Sequence, residues 1–501
     1  MLNQKKLDVT VEVGPSLGQQ SNPANSLRLV EGIEVQIYRS GVCSRVEWVI
    51  ASSGSSIPPN SRPSNGETFV TRKGLGLWMC TALVMGNMIG SGVFLLPAAL
   101  APYGTISLLG WLFTASGAVL LAVLFGSLAR IRPAVGGPYA YARAGFGDFA
   151  GFMVAWGYWI AVWAGNSAIA VGFAGYVGFL VPAVGDDPVL GATTALLAIW
   201  LLTAVNTRGV HVVGWVALGT TVLKVMPLLA IGTVGFLYVN ESNFLPFNPS
   251  GGSAVSGVTA CAALTLWAFL GLESATVPAD NVESPETTIP RATVLGTILV
   301  AAIYILSTGA VLGLIPRQVL MVSTAPFADA ASAVWGAAAA TVVAAGAVIA
   351  AFGALNGWIL LAGQIPLAAA RDGLFPEAFS RVSSSGVPTV GLVVSGVLAS
   401  LLLLLNYTRG LVEMFTFIIL LATLNTLIPY ALCSLAYFLM PCSEEGAYPN
   451  RTIGHALVAV VAFFYSAWAI LGAGKDAVYW GSLLLLAGIP VFVWLKRPSA
   501  Q

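Results

Sequence analysis

Four groups of residues in this chain have types and spacings that could do chemistry. The stretch "GNMIGSGVFLLPA", Gly86 to Ala98, puts three glycines and Ser91 inside an apolar run that begins near Leu75. Each glycine costs a helix roughly 1 kcal/mol relative to alanine. The run therefore either packs closely on a neighbour through its small residues or unwinds. Unwinding exposes backbone N–H groups and the positive end of the following half-helix to an anionic group. The second stretch, "LTLWAFLGLESATVPAD", has Trp267 one helical turn before Gly271, then Glu273 and Pro278. An indole face attracts a cation, although tryptophans of membrane segments also populate the interfacial belt. In the third group, Tyr158, Val162 and Asn166 recur at i, i+4 and i+8 on one helix face, which serves either a binding wall or plain packing. The fourth group is Lys224 and Glu273, two ionisable residues deep in apolar runs. Such groups must be paired, neutral or snorkelling, and inside a membrane they are functional by default; a structural carboxyl held by a neighbour is the alternative for Glu273. Cys43, Cys80, Cys261, Cys433 and Cys442 show no metal-ligand spacing, and His211 and His455 are the only histidines. No metal site and no cofactor is expected.

The elements that position these groups follow from composition. Of 501 residues, 57% are hydrophobic and 9% charged, with a formal net charge of +1 and a mean hydropathy of +0.85. Soluble domains do not look like this, and a near-neutral chain is not built to bind nucleic acid. Windows of about 20 apolar residues, the length that crosses a bilayer, give about twelve segments. They start near Leu75, Ile106, Gly147, Val189, Val212, Val255, Ala292, Ala330, Val390, Leu411, Ile453 and Val478. With the N-terminus inside, the cytoplasmic loops hold twelve of the 22 Lys and Arg residues, while Arg317, Arg409 and Lys475 alone fall on the other side. That asymmetry orients both termini to the cytoplasm. Residues 1–70 are rich in Ser, Pro, Asn and Gly, as in "SSGSSIPPNSRPSNGET", and read as a disordered or poorly structured cytoplasmic tail. An over-long open reading frame is the alternative. The alternation from Ile33, "IEVQIYRSGVCSRVEWVIAS", hints at short strands. Residues 71–498 form the membrane domain.

Broken helices in transporters come in pairs, at corresponding positions of two halves. The glycine-rich first segment and the Gly271-containing sixth segment lie five segments apart, which predicts two repeats of five, a central site between segments one and six, and two peripheral helices.

Five stretches, "GNMIGSGVFLLPA", "GGPYAYARAGFG" from Gly136, "YWIAVWAGN" from Tyr158, "LWAFLGLESATV" from Leu266 and "GWILLAGQIPLAAARDGLFP" from Gly357, resemble the amino acid/polyamine/organocation family of transporters, and within it most resemble the bacterial arginine/agmatine antiporter. The likeness runs in order from about residue 75 to 495. It implies an all-α integral membrane protein of about twelve spans with the LeuT-type five-plus-five inverted repeat, broken in helices 1 and 6, in a bacterial inner membrane. By the resemblance, Asn87, Ile89, Ser91 and Gly92 receive the substrate's carboxylate and amine, and Trp267 stacks on its cationic end. Ala161, Val162, Asn166 and Leu270 complete the binding set. Tyr158, Trp358, Glu273 and Tyr430 are gates, Glu273 also senses pH, and Lys224 joins it in coupling. Four positions depart from the antiporter: Val162 stands where it has cysteine, Ala422 and Asn425 where it has serine and phenylalanine, and Lys224 where it has no lysine.

The resemblance implies an antiporter exchanging a cationic amino acid, arginine, for its decarboxylated amine, agmatine, a partner cycle that gives acid resistance. Proton-coupled uptake of basic or neutral amino acids, with Lys224 and Glu273 managing charge, is the alternative. A membrane-embedded enzyme would need clustered catalytic groups at membrane depth, and Lys224 and Glu273 lie on different segments. A channel would want repeated rings of polar residues. The expected partners are an amino acid or polyamine substrate, the lipid bilayer and, by family analogy, a second copy of the chain.

Overall fold

The computed structural model describes residues 26–29, 33–40, 43–50, 76–131, 137–208, 224–276, 282–383, 386–440 and 452–497, in two compact units, Met1–Arg72 and Lys73–Gln501. In the first unit, β1 (Ser26–Leu29), β2 (Ile33–Ser40) and β3 (Cys43–Ile50) form an antiparallel sheet in the order β1-β2-β3. Its register runs from Ile33↔Ile50 to Ser40↔Cys43. The period-2 alternation and the β-branched residues of these stretches account for the strands. Most of the tail expected to be poorly structured lies outside the described residues.

The second unit is helical. Its first elements are α1 (Leu77–Met88), α2 (Ser91–Leu100), α3 (Ile106–Ile131), α4 (Pro138–Phe146), α5 (Asp148–Leu180), α6 (Pro182–Asp186) and α7 (Pro188–Asn206). Then come α8 (Lys224–Tyr238), α9 (Ala254–Leu266), α10 (Pro285–Leu314), α11 (Arg317–Leu320), α12 (Pro326–Trp335) and α13 (Ala337–Arg371). The last are α14 (Thr389–Asn406), α15 (Leu411–Leu439), α16 (Ile453–Gly472), α17 (Lys475–Leu486) and α18 (Gly488–Leu495). Among the described residues, 10 helices are long and apolar enough to cross a membrane, or up to 11 with the bent pair at α1 and α2. The second unit is thus all-α, and the chain is a multi-span membrane protein. The fifth expected segment, from Val212, is described only from Lys224 onward, and His211 lies outside the described residues. The eighth, expected from Ala330, begins at Ala337. Gly336, at a φ of 83° that an L side chain resists, separates it from the short α12.

Burial sorts the helices. In the most apolar 18-residue stretch of each span, 89% of the residues are buried for Asp148–Leu180 and 11% for Lys475–Leu495, so α5 is the hub and α17–α18 the outer rim. A helix apolar on all sides belongs inside. Polar side chains stitch the hub to its neighbours: Trp159 donates to Ser395 of α14 at 2.8 Å, and Ser167 donates to the Ala399 carbonyl at 2.9 Å. At the end of the bundle where α5 begins, Arg143 pairs with Asp148 at 3.0 Å and with Asp372 at 2.8 Å, and Lys496 reaches Asp148 at 2.7 Å. These half-exposed pairs tie α4, α5, the end of α13 and the end of α18 together.

Candidate functional site

The first interruption falls where the glycines cluster. The chain leaves α1 at Met88, passes through Ile89 and an extended Gly90, and restarts as α2 at Ser91, turning by 45°. The ends of a broken helix must find new hydrogen-bond partners, because lipid supplies none. On the carbonyl side they come from three other helices. Gly86 accepts from Lys224 Nζ at 3.3 Å, Asn87 from Trp358 Nε1 at 3.3 Å, and Met88 from the Tyr304 hydroxyl at 2.8 Å. On the other side, Gly90 has no side chain with which to cap the N-terminus of α2, so the positive end of that helix faces the interruption.

The second interruption lies at the end of α9. A 3-10 turn, Trp267–Phe269, leads to an extended Leu270, then to Gly271 at a φ of 100°, then to another 3-10 turn, Leu272–Thr276. Local groups close it: the Ser274 N–H donates to the Gly271 carbonyl at 3.0 Å, and the Thr276 hydroxyl donates to the Glu273 carbonyl at 2.6 Å. Gly271 is required twice over. Its φ suits only glycine, and a Cβ there would sit 3.2 Å from Trp358 and 3.3 Å from Asn87. The two interruptions therefore face each other across Trp358.

Two more glycines make room for one ring. A Cβ on Gly92 would lie 2.6 Å from Trp267 Nε1, and one on Gly165 would lie 2.7 Å from Cη2 of the same indole. Trp267 is lodged between α2 and α5 because both positions lack side chains. Beside it is a cavity of about 30 Å³, enough for water but far below the few hundred Å³ of a ligand site. Glu273 is fully buried nearby; its carboxylate accepts from the Tyr158 hydroxyl on one oxygen and from the Tyr430 hydroxyl, at 2.7 Å, on the other.

Of the residues singled out in the sequence, Asn87, Gly92, Tyr158, Ala161, Val162, Trp267, Leu270 and Trp358 line the cavity. Glu273 and Tyr430 meet Tyr158, and Lys224 sits on the Gly86 carbonyl. Ile89 and Asn166 are buried but do not line the cavity, and Asn166 Oδ1 has no partner among the described residues. The side chain of Ser91 lies outside the described residues. Ala422 and Asn425 are fully buried away from the cavity, and Asn425 donates to Leu421 at 2.9 Å.

Sequence inspection missed Met88, Gly165, Ile169, Ala268 and Thr426, which line the cavity together with Gly90 of the glycine-rich stretch. On α5 the cause is arithmetic. At about 100° per residue, a position seven beyond Tyr158 is about 20° off its face and one eight beyond is about 80° off. Gly165 and Ile169 therefore continue the face of Tyr158 and Val162, while Asn166 sits at its edge. Thr426, one turn before Tyr430, had the same periodic signal.

The profile of the amino acid permease family matches residues 75–493. The chain belongs to the amino acid permease family. Relatives of this permease include the putrescine transporter PotE of Haemophilus influenzae, 33% identical over 415 residues that cover 83% of this chain and 95% of the relative. PotE of Escherichia coli K12 is 32% identical over 83% of the chain and 94% of its own length. The cadaverine/lysine antiporter of Escherichia coli K12 is 36% identical over 72% of the chain and 82% of its own length. Membership makes this permease a transporter of amine or amino-acid-type solutes and not an enzyme.

Proposed function

We propose that this permease is a secondary active antiporter that exchanges a cationic amino acid for its decarboxylated amine by alternating access. The relatives named for putrescine and for cadaverine and lysine favour a diamine paired with its parent amino acid, lysine with cadaverine or ornithine with putrescine; arginine with agmatine is the third pair. Twelve spans in a five-plus-five inverted repeat, broken in the first and sixth, would house the site in a bacterial inner membrane with both termini cytoplasmic. Paired with a decarboxylase inside, such exchange exports a proton equivalent.

The observation that carries this proposal is the lodging of the Trp267 indole on a cavity between two interrupted helices, with a buried carboxylate one tyrosine away. In the proposed mechanism the amino acid carboxylate caps α2 at Ser91 and Gly92, near Asn87 and Ile89, and the cationic end lies on Trp267. Ala161, Val162 and Leu270 shape the wall, and Asn166 at its edge meets the distal group once the cavity opens. Both ends are shut. Tyr158 and Tyr430 clasp Glu273 on one side. On the other, the Tyr176 hydroxyl donates to the Phe94 carbonyl at 2.8 Å and accepts from the Phe327 N–H at 3.2 Å, within an aromatic trio. Tyr158 and Tyr176 are roughly 27 Å apart along α5 at 1.5 Å per residue. Release at one end requires Glu273 to lose its tyrosines, and release at the other requires Tyr176 to let go of α2. Trp358, between the interruptions, moves with either event.

Proton-coupled uptake is favoured by one observation, the contact of Lys224 with the backbone of the first interruption. Proteoliposomes separate the two activities. Labelled lysine, ornithine or arginine should enter vesicles loaded with cadaverine, putrescine or agmatine and should not enter empty ones. Entry into empty vesicles driven by an inward proton gradient would make the protein a permease of the uptake type. Cross-linking in native membranes tests the homodimer that the family resemblance implies.

A further inference from the structure

Tyr304 lies on α10, does not line the cavity and is fully buried. Its hydroxyl donates to the Met88 carbonyl at 2.8 Å. The same carbonyl accepts from the Gly90 N–H at 3.0 Å, and this bond closes the turn that launches α2. Tyr304 thus holds the pivot of the first interruption. Its ring packs edge-on against Phe269 of the second interruption, at 5.8 Å between centroids, and at a tilt against Trp111 of α3, at 5.4 Å. Lys224 and Trp358 cap the two preceding carbonyls, but neither holds the turn itself.

We propose that Tyr304 is a positioning residue that sets the direction of the α2 N-terminus and thereby the recognition of a substrate carboxylate, resting on the proposed placement of that carboxylate at α2. The consequence is asymmetric. An amino acid presents a carboxylate and a diamine does not, so loosening the turn weakens only one of the two exchange partners. A residue needed merely for packing would weaken both alike.

The test uses full-length protein in proteoliposomes and the Tyr304→Phe variant, which keeps the ring and removes the donor. The apparent KM for lysine should rise about 3- to 15-fold, the range of interhelical hydrogen bonds in membranes, while that for cadaverine stays within about twofold. Incorporating 4-aminophenylalanine at position 304 restores a donor and should return the lysine KM toward wild type. Equal shifts for the two substrates, or no shift for lysine, overturn the proposal. A second measurement does not depend on the substrate: without ligand, amide hydrogen exchange over residues 86–94 should be faster in Tyr304→Phe than in wild type, and unchanged exchange there also overturns the proposal. If wild-type protein exchanges neither lysine nor cadaverine, the substrate assignment falls while the exchange measurement still decides the role of Tyr304. Should Tyr304→Phe fail to reach the membrane, Phe269→Leu, which keeps the hydroxyl and loosens its ring contact, carries the exchange measurement with the same expected direction.

Discussion

The two interruptions solve one problem in opposite ways. At Met88–Ser91 the freed carbonyls are satisfied from a distance, by Lys224, Trp358 and Tyr304 on three other helices, and what the chain offers the site there is backbone. At Trp267–Thr276 the backbone closes largely on itself, through Gly271, Ser274 and Thr276, and what it offers is two side chains, Trp267 and Glu273. The first interruption is therefore held by the tertiary structure and the second by its own residues. Damage to the second should remove chemistry, whereas damage to the caps of the first should loosen geometry by smaller amounts.

The largest effect tests the side-chain half of that contrast. Trp267→Leu removes a desolvated cation–π contact worth about 2 kcal/mol, so binding of every cationic substrate should weaken about 30-fold. Unchanged exchange of lysine, ornithine, arginine and their amines would falsify the assignment of Trp267. Next, Glu273→Ala strips the acceptor from Tyr158 and Tyr430; hydrogen bonds to charged groups are worth about 1.5–3 kcal/mol. Exchange should fall about 10-fold and its pH profile should flatten, and a profile identical to wild type would take Glu273 out of both gating and pH sensing.

Gly165→Ala sharpens the comparison from the neighbouring helix. Its new Cβ would press on the Trp267 ring from 2.7 Å, and overpacking of this kind costs about 1–3 kcal/mol. The indole must shift into a small cavity, so the KM for the longer cadaverine should rise by about 5-fold or more, and the KM for the shorter putrescine should rise less. Equal change for the two diamines would mean that the ring does not set substrate length. The smallest effect belongs to a remote cap. Lys224→Met leaves the Gly86 carbonyl without its donor, and at about 0.6 kcal/mol for an average interhelical bond the KM should move only about 3-fold. A complete loss of transport would instead show that Lys224 carries protons, and would erase the contrast between the two interruptions.

Some of this was readable along the chain. Glycines that cost helix propensity inside runs long enough to span a membrane marked both interruptions, and Trp267 and Glu273 stood out because a large aromatic and a carboxylate flank Gly271. The wall of α5 was half readable: Tyr158 and Val162 were found, but stepping in fours carried the pattern to Asn166 and past Gly165 and Ile169, since 3.6 residues per turn accumulates drift. Gly165 gave no signal of its own, because a glycine that matters for the space it leaves looks like any other small residue in a membrane helix. Thr426 was overlooked in favour of Ala422 and Asn425, which point elsewhere.

The sequence by itself determined the class of the protein, the positions of most spans and the places where two of them yield, because hydropathy and the cost of glycine act over one or two helical turns. Only the tertiary structure decided who completes those interruptions. Lys224, Trp358 and Tyr304 are 138, 271 and 216 positions from the carbonyls they cap, and no periodicity connects groups so far apart. The same holds for Tyr158, Tyr430 and Glu273, which meet from α5, α15 and the second interruption. A backbone carbonyl or carboxylate buried away from water must be satisfied by whatever donor the packing brings, and packing is a property of the folded bundle and not of any local stretch.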